Sequence, residues 1–211
     1  MSSEGRPFVD PPWEAPLDVE RVLAGIAPDA KISGMFFVSL VAGAKTRNMV
    51  LPSARDRYVP FNFYPVADFA RLLVEAAQRF FAGRRSLRHA LRSLGRSAPD
   101  AFLSSTLGKV TLGSTEGVHA AVGAMANAYE LNLRPSRVST LDSGPDWVTV
   151  RLDKVGYFLD SHHVGTFEGI LRFAQVQGSV RIAARGSASA DMLLAWGPGQ
   201  RSPSRKRRVR S

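Results

Sequence analysis

The spacing of apolar side chains changes about two-thirds of the way along the chain. Up to about residue 126 they recur every three or four residues, as in helices with one buried face. From Tyr129 the spacing becomes two residues, which is typical of strands with alternating faces. The pattern predicts an α+β fold, with a helical N-terminal layer packed on a C-terminal antiparallel sheet that has one embedded helix.

The clearest predicted helix covers residues 66–82. Pro65 stands at its first turn, where a missing N–H is tolerated, and Gly83 follows its end, where a left-handed residue is favoured. The same apolar period predicts further helices over residues 18–26, 34–44, 86–94, 97–107, 115–126 and 161–174. Strands are predicted over residues 129–133, 138–141, 147–152, 180–184 and 192–196.

Segments of different composition flank the predicted domain. Residues 1–16 contain four prolines, which fix φ and remove backbone donors, so we expect an extended leader, pinned by Phe8 or Trp13. Residues 197–211 follow with Gly, Pro, Ser and basic residues, and they predict a disordered tail. Residues 17–196 are predicted to form one domain.

The composition excludes several kinds of chemistry. The chain has 211 residues and no cysteine, so disulfides, thiolate nucleophiles and iron–sulfur clusters are excluded, and a reducing cytoplasm is expected. No apolar run approaches the ~20 residues that span a bilayer, and the N-terminus lacks a signal-peptide pattern. We therefore expect a cytoplasmic protein without a membrane span.

The positive charge is concentrated in the tail. The formal net charge is +10, and six of the 28 basic residues fall within the last eleven positions, which hold no acid. Such a tail predicts non-specific, salt-sensitive binding to nucleic acid, although a solubilising appendage would have the same composition. Its basic residues are Arg201, Arg205, Lys206, Arg207, Arg208 and Arg210.

A second basic feature is a stripe of arginines at helical spacing. Arg85, Arg88, Arg92 and Arg96 recur every three or four residues, so they share one face of a predicted helix. The stripe is a candidate for binding phosphates or an acidic partner. The alternative is a solvated helix face, and the absence of interleaved aromatic residues disfavours base stacking.

Residues 160–169 contain the candidate site. His162 and His163 lie near Asp160 and Glu168, and imidazole with carboxylate suits zinc or iron. Adjacent helical residues diverge by about 100°, so the two rings are not expected to meet one ion. The alternative is structural, with one histidine supporting the helix start and the other packing against the sheet. We predict no metal and no cofactor.

A catalytic triad from Asp160, Ser161 and His162 is not favoured. Triad members usually converge from distant positions, and the chain lacks a Gly-x-Ser-x-Gly elbow. An enzyme would need the cluster of Asp160, His162, His163 and Glu168 to act together, and we do not expect one.

Two glycines, Gly165 and Gly169, lie on one helix face because they are four residues apart. Such a face permits close backbone approach, most often to a sheet and less often to another helix in a dimer. Glu168 turns away from this face, and we expect a hydrogen-bonded structural carboxylate.

Several motifs resemble a family of uncharacterised proteins expanded as paralogues in myxobacteria. The resemblance covers roughly residues 31–196 and implies no activity. The matching motifs are Gly34-Met35-Phe36-Phe37 with Leu40, Tyr58 with Tyr64-Pro65, Leu-Arg-x-Ala-Leu-Arg-x-Leu-Gly at 87–95, Tyr129 with Leu133-x-Pro135, and the Asp160–Gly169 run.

The C-terminal order of hairpin, Gly-x-x-x-Gly helix and hairpin is also similar to the four-vinyl reductase domain. Its distant relatives include haem–nitric-oxide sensors and Golgi transport-particle subunits, so the resemblance implies small-molecule binding or subunit assembly. The cysteines that carry metal or acyl chains in some relatives are absent here, so neither chemistry is carried over.

These observations predict a non-enzymatic cytoplasmic regulatory or adaptor domain. It would bind a protein partner, a second copy of itself, or a small apolar ligand between the helical layer and the sheet. The alternative is a nucleic-acid-associated protein that acts through its tail. The predicted ligand- or partner-binding residues are Asp160, His162, His163, Gly165, Glu168 and Gly169.

Overall fold

The computed structural model describes residues 7–103 and 117–201, and these form helices and two antiparallel sheets. The helices are α1 (Val19–Ala24), α2 (Gly34–Lys45), α3 (Val66–Phe80), α4 (Leu87–Leu103), α5 (Val118–Asn132) and α6 (Val164–Phe173), with a π-helical turn at Leu159–His163. The strands are β1 (Lys31–Ser33), β2 (Phe63–Pro65), β3 (Leu133–Arg134), β4 (Arg137–Gly144), β5 (Trp147–Asp153), β6 (Val176–Ala184) and β7 (Ala190–Arg201).

The strands form a small sheet with the order β2-β1-β3 and a larger one with the order β4-β5-β7-β6. In the larger sheet Val150 pairs with Thr140 on one side and with Met192 on the other. The predicted α+β class is confirmed, including the C-terminal antiparallel sheet and its embedded helix. No helix in the described ranges is long and apolar enough to cross a membrane.

Two predicted elements were wrong. A new helix was expected to begin at Ser97, but α4 runs through Pro99 to Leu103, and the Pro99 ring packs at Gly169. A strand was expected at 129–133, but α5 continues to Asn132. Tyr129 and Asn132 are buried and Leu131 is exposed, so the local period is three and not two.

Other boundaries were missed because the elements are short or irregular. β1 and β2 have three residues each, too few for a period to show. β7 was expected to end at Trp196, but its backbone continues to Arg201, which pairs with Val176 across a register shift.

Helix α6 lies at the centre of the C-terminal half. It packs against α4 on one side and against β6 and β7 on the other. Phe167 and Ile170 are fully buried in the core there. The helix is amphipathic in sequence but is covered on both faces, so α4 fixes its position relative to the sheet.

Glycines bring α4 and α6 into backbone contact. A Cβ atom at Gly95 would overlap the carbonyl oxygen of His162, and one at Gly165 would overlap that of Arg92. A Cβ at Gly169 would lie 2.6 Å from the carbonyl oxygen of Arg96. The backbone that Gly165 and Gly169 approach is therefore that of α4, which corrects the expected contact with the sheet.

Ion pairs connect the same two segments. The Arg92 Nε donates to Glu168 at 2.7 Å, and Arg96 Nε donates to the same carboxylate at 3.2 Å. Arg88 pairs with Asp160 on the π-helical turn. The Glu168 side chain is largely buried, so its carboxylate has limited access to water where it bridges Arg92 and the more exposed Arg96.

The described part of the leader, residues 7–16, lies against β6 and α4. Val9 forms an antiparallel bridge with Ile182 at the edge of β6. The guanidinium of Arg92 lies 3.7 Å from the centre of a Trp13 ring, and the Ser86 hydroxyl donates to the Trp13 carbonyl at 2.8 Å. Arg88 Nε donates to the carbonyl of Ala15 at 2.9 Å. Trp13 thus packs on the arginine-bearing face of α4.

We expect Gly165→Ala to lower the free energy of unfolding by about 3 kcal/mol, because the added methyl group cannot avoid the Arg92 carbonyl without moving a helix. The measurement is urea unfolding of the purified full-length protein.

Gly123→Ala is the matched control, since Gly123 lies in α5 with open space around its Cα. It should raise stability by about 0.5–1 kcal/mol, the usual helix preference for alanine. Equal effects of the two substitutions would show that the crossing is not limited by backbone contact.

Candidate functional site

A partly open cavity of about 290 Å³ lies between the N-terminal helices and the π-helical turn. Its wall is mostly apolar, with side chains from α2, α3, α4 and α5. Polar lining residues lie at the two ends. Ser39, Arg47 and Ser97 are exposed at the open end, whereas the far wall is formed by buried residues that include Tyr157, His162, His163 and Thr166.

The π-helical turn presents both histidines to this cavity. It follows Phe158, a buried residue with φ of +44°, whose carbonyl accepts hydrogen bonds from the N–H groups of both Ser161 and His163. A bulky residue in the left-handed region is strained, and single π-helical turns occur often at functional sites. The Gly95 contact with the His162 carbonyl holds the turn against α4.

The two imidazoles do not diverge as an α-helix would require. Their ring centres are 5.1 Å apart in an edge-to-face arrangement, and the Tyr157 ring lies 4.6 Å from that of His163. His163 Nδ1 and the Tyr129 hydroxyl share a hydrogen bond of 2.6 Å. His162 Nδ1 and His163 Nε2 are buried and have no hydrogen-bond partner.

Burial keeps the ring groups uncharged. It lowers the pKa of His162 from 6.5 to about 4. Burial and the neighbouring His162 lower the pKa of His163 well below 6.5, and the Tyr157 carbonyl offsets this only in part. Burial also raises the phenol pKa values of Tyr129 and Tyr157. At neutral pH each imidazole therefore offers one donor and one acceptor.

The remaining predicted site residues have other contacts. Asp160 pairs with Arg88, and the Ser161 hydroxyl is buried without a hydrogen bond, so Asp160, Ser161 and His162 do not form a triad. Glu168 binds Arg92 and Arg96, and the glycines face α4. Within residues 7–103 and 117–201, no group of three His, Asp or Glu side chains is placed to hold a metal.

The arginine stripe is largely engaged within the fold. Arg88, Arg92 and Arg96 pair with carboxylates, while Arg85 is exposed and donates to the Ser93 hydroxyl at 3.0 Å. Binding of an anion by the first three would require these pairs to open. Arg205, Lys206, Arg207, Arg208 and Arg210 lie outside the described residues, so tail binding stays a prediction.

Sequence reasoning missed Tyr129, Tyr157 and Thr166 as site residues. Tyr129 was assigned to a strand, although it continues the helical spacing of the buried Val122 and Met125 in α5. Tyr157 lies in a connection with no clear period. Thr166 follows Gly165 directly, and its hydroxyl donates to the His162 carbonyl at 3.1 Å, so the Asp160–Gly169 run already pointed to it.

Comparison with known proteins places the chain in a family. Residues 26–197 match the model described as a protein of unknown function, DUF2378, and the chain belongs to that family. No curated protein matches it in sequence. The expected expansion in myxobacteria stays a prediction.

Solved structures with a similar fold include H-NOX proteins. An Fe(II) unliganded H-NOX protein from K. algicida has 8% identity and a TM-score of 0.58, covering 80% of this chain and 98% of that one. A mutant from T. Tengcongensis has 13% identity and a TM-score of 0.61, covering 78% and 97%. A structure concerned with heme distortion in the H-NOX family has 14% identity and a TM-score of 0.61, covering 78% and 95%. At these identities the likeness shows a shared fold.

The cavity does not fit a haem with its walls as placed. A neutral imidazole is a common axial ligand, and His162 and His163 would suit that role chemically. The volume of about 290 Å³ is only about twice the ~150 Å³ of a cavity that holds benzene, whereas a porphyrin alone joins four five-membered rings. A haem carries two anionic propionate groups, whereas Arg47 is the only arginine or lysine among the described residues that line the cavity.

The buried imidazoles predict a loss of stability in mild acid. Their folded pKa values lie below the unfolded value of 6.5, so as the pH falls from 6.5 towards 4 the unfolded chain takes up protons first. We expect the free energy of unfolding to fall by about 2 kcal/mol between pH 6 and pH 5. Urea unfolding at pH 7.5, 6 and 5 measures this dependence.

The double variant His162→Gln with His163→Gln should lose this slope. His89→Gln should keep it, because His89 is only partly buried on the outer face of α4. A slope of equal size in the double variant would show that other groups cause it.

Proposed function

We propose that this protein is a non-enzymatic regulatory domain that binds a small apolar ligand in the cavity between its helical layer and the π-helical turn. The cavity itself is the observation that carries the proposal. It combines a mostly apolar wall with a few convergent polar groups, the usual composition of a small-molecule site. A bound ligand would alter the packing of α2 and α3 on the rest of the domain. This change would alter the surface that a protein partner contacts.

The position of the cavity supports a regulatory role. Its wall includes Phe36 and Leu40 of α2 on one side and Met125 and Ala128 of α5 on the other. A ligand that contacts both α2 and α5 binds more tightly when the two helices are correctly spaced, and so stabilises that conformation. A sensor requires such a difference in affinity between two conformations. The similarity of fold to H-NOX proteins agrees with this proposal, although the cavity volume disfavours haem as the ligand.

The contacts at the site favour binding over catalysis. Ser161 has no hydrogen bond to a base, and Asp160 is held by Arg88 instead of orienting an imidazole. The absence of cysteine from the sequence supports a reducing cytoplasm as the site of action. The alternative, nucleic-acid binding through the basic tail, gains no support from the arginine stripe, because three of the four stripe arginines have carboxylate partners.

Native mass spectrometry of the gently purified full-length protein tests the proposal. We expect a mass excess over 22.9 kDa that disappears on denaturation. Ala128→Phe should remove the excess, since the added ring fills the cavity from α5. Ala120→Phe is the matched control on the exposed face of the same helix, and it should retain the bound mass.

Equal retention in Ala128→Phe and Ala120→Phe would place the bound molecule outside the cavity and contradict the proposal. A bare mass, with no apolar compound able to raise the Tm of the wild type over that of Ala128→Phe, would also contradict it. A mass excess equal to one haem would show that the walls move apart to admit a larger group.

A further inference from the structure

The cavity differs strongly between its two ends. Around Arg47 the lining residues are exposed or half-buried, and the Arg47 guanidinium donates to the Gly43 carbonyl at 2.8 Å. At the far wall His162 and His163 are 7% and 1% exposed. A ligand therefore enters from the side of α2 and reaches the imidazoles last.

The closed end has hydrogen-bonding capacity that the protein does not use. His162 Nδ1 and His163 Nε2 are buried without a partner in the described structure. Buried polar atoms in folded proteins are almost always hydrogen-bonded, because leaving one unpaired is destabilising. His162 lines the cavity, so a polar group on a bound molecule that displaces the atoms now covering Nδ1 would supply the partner that this nitrogen lacks.

The same end excludes a charged group. Desolvation keeps the imidazoles and the phenols of Tyr129 and Tyr157 neutral, and no lining residue there among those described is acidic or cationic. An ion moved into this end would lose its hydration without a counter-charge, which is very unfavourable. A hydroxyl, carbonyl or amide group loses much less and exchanges hydrogen bonds with a neutral imidazole.

The volume sets the size of the molecule. A cavity of ~150 Å³ holds one benzene ring, so about 290 Å³ holds roughly two rings or an aliphatic chain of similar bulk. Apolar residues that line the rest of the cavity, such as Leu73 and Met125, would contact such a body along its length.

We propose that the ligand is an elongated, uncharged molecule of about two-ring size that carries a hydroxyl, carbonyl or amide at the end inserted first, where it bonds His162 Nδ1. The inference rests on the proposed function and adds the chemical class and orientation of the ligand.

Three probes of nearly equal shape test this proposal on the full-length protein. Biphenyl has no polar group, 4-phenylphenol adds a neutral hydroxyl, and biphenyl-4-carboxylate adds a charge. By isothermal titration at pH 7.5, 4-phenylphenol should bind about tenfold more tightly than biphenyl, since one hydrogen bond to an otherwise unpaired buried group has about that effect.

Variants locate the contact. His162→Phe keeps a ring of similar size but removes the nitrogen, so it should bring 4-phenylphenol and biphenyl to within about twofold of each other. Ser97→Ala, at the open end, should keep the preference of the wild type. Independently of the variants, 4-phenylphenol should shift the ¹⁵N resonance of His162 Nδ1 in the wild type, and biphenyl should not.

Equal affinity of biphenyl and 4-phenylphenol for the wild type, with both lost in Ala128→Phe, would overturn the proposed ligand class and leave the ligand-binding function intact. Binding of biphenyl-4-carboxylate with a shift at His162 Nδ1 would overturn the exclusion of charge. No binding of any probe, together with a bare native mass, would overturn the proposed function itself.

Discussion

The backbone contact between α4 and α6 determines where the larger sheet and the π-helical turn lie in this fold. At Gly95, Gly165 and Gly169 an added Cβ atom would lie too close to a carbonyl oxygen of the opposing segment. Arg92 and Arg96 both bind Glu168 at the crossing. The contact buries α6 between α4 and the sheet. It also fixes the π-helical turn, because the His162 carbonyl is one of the atoms that Gly95 approaches.

The conformation of the π-helical turn is energetically unfavourable by itself, but it places both imidazoles at the cavity. Phe158 adopts a left-handed backbone, and two imidazole nitrogens are buried without partners. Such features persist only where the surrounding packing determines them, and they concentrate at functional sites. Here the packing comes from the glycine crossing, and the unpaired nitrogens belong to residues that line an apolar cavity. The contact between α4 and α6 thus positions polar groups for a ligand that α2, α3 and α5 enclose.

Much of the fold was predictable because the apolar period is local information. Val66–Phe80 and Trp147–Asp153 show clear periods of 3.6 and 2, and both elements were predicted. The run from Asp160 to Gly169 was singled out by its dense polar and glycine content, and its role in binding stays a prediction. Its contacts were not predictable, since a pair of glycines permits close approach to any backbone. The partners of Asp160 and Glu168 lie 72 to 76 residues earlier in the chain, beyond the reach of local patterns.

Ligand binding at the imidazole end of the cavity can be seen by diffraction from crystals of the full-length protein, purified without organic solvent. We predict non-protein density that extends from beside Arg47 to within hydrogen-bond distance of His162 Nδ1, with α4 and α6 in backbone contact at Gly165. A cavity filled by side chains, with both imidazoles hydrogen-bonded to protein atoms, would contradict the account.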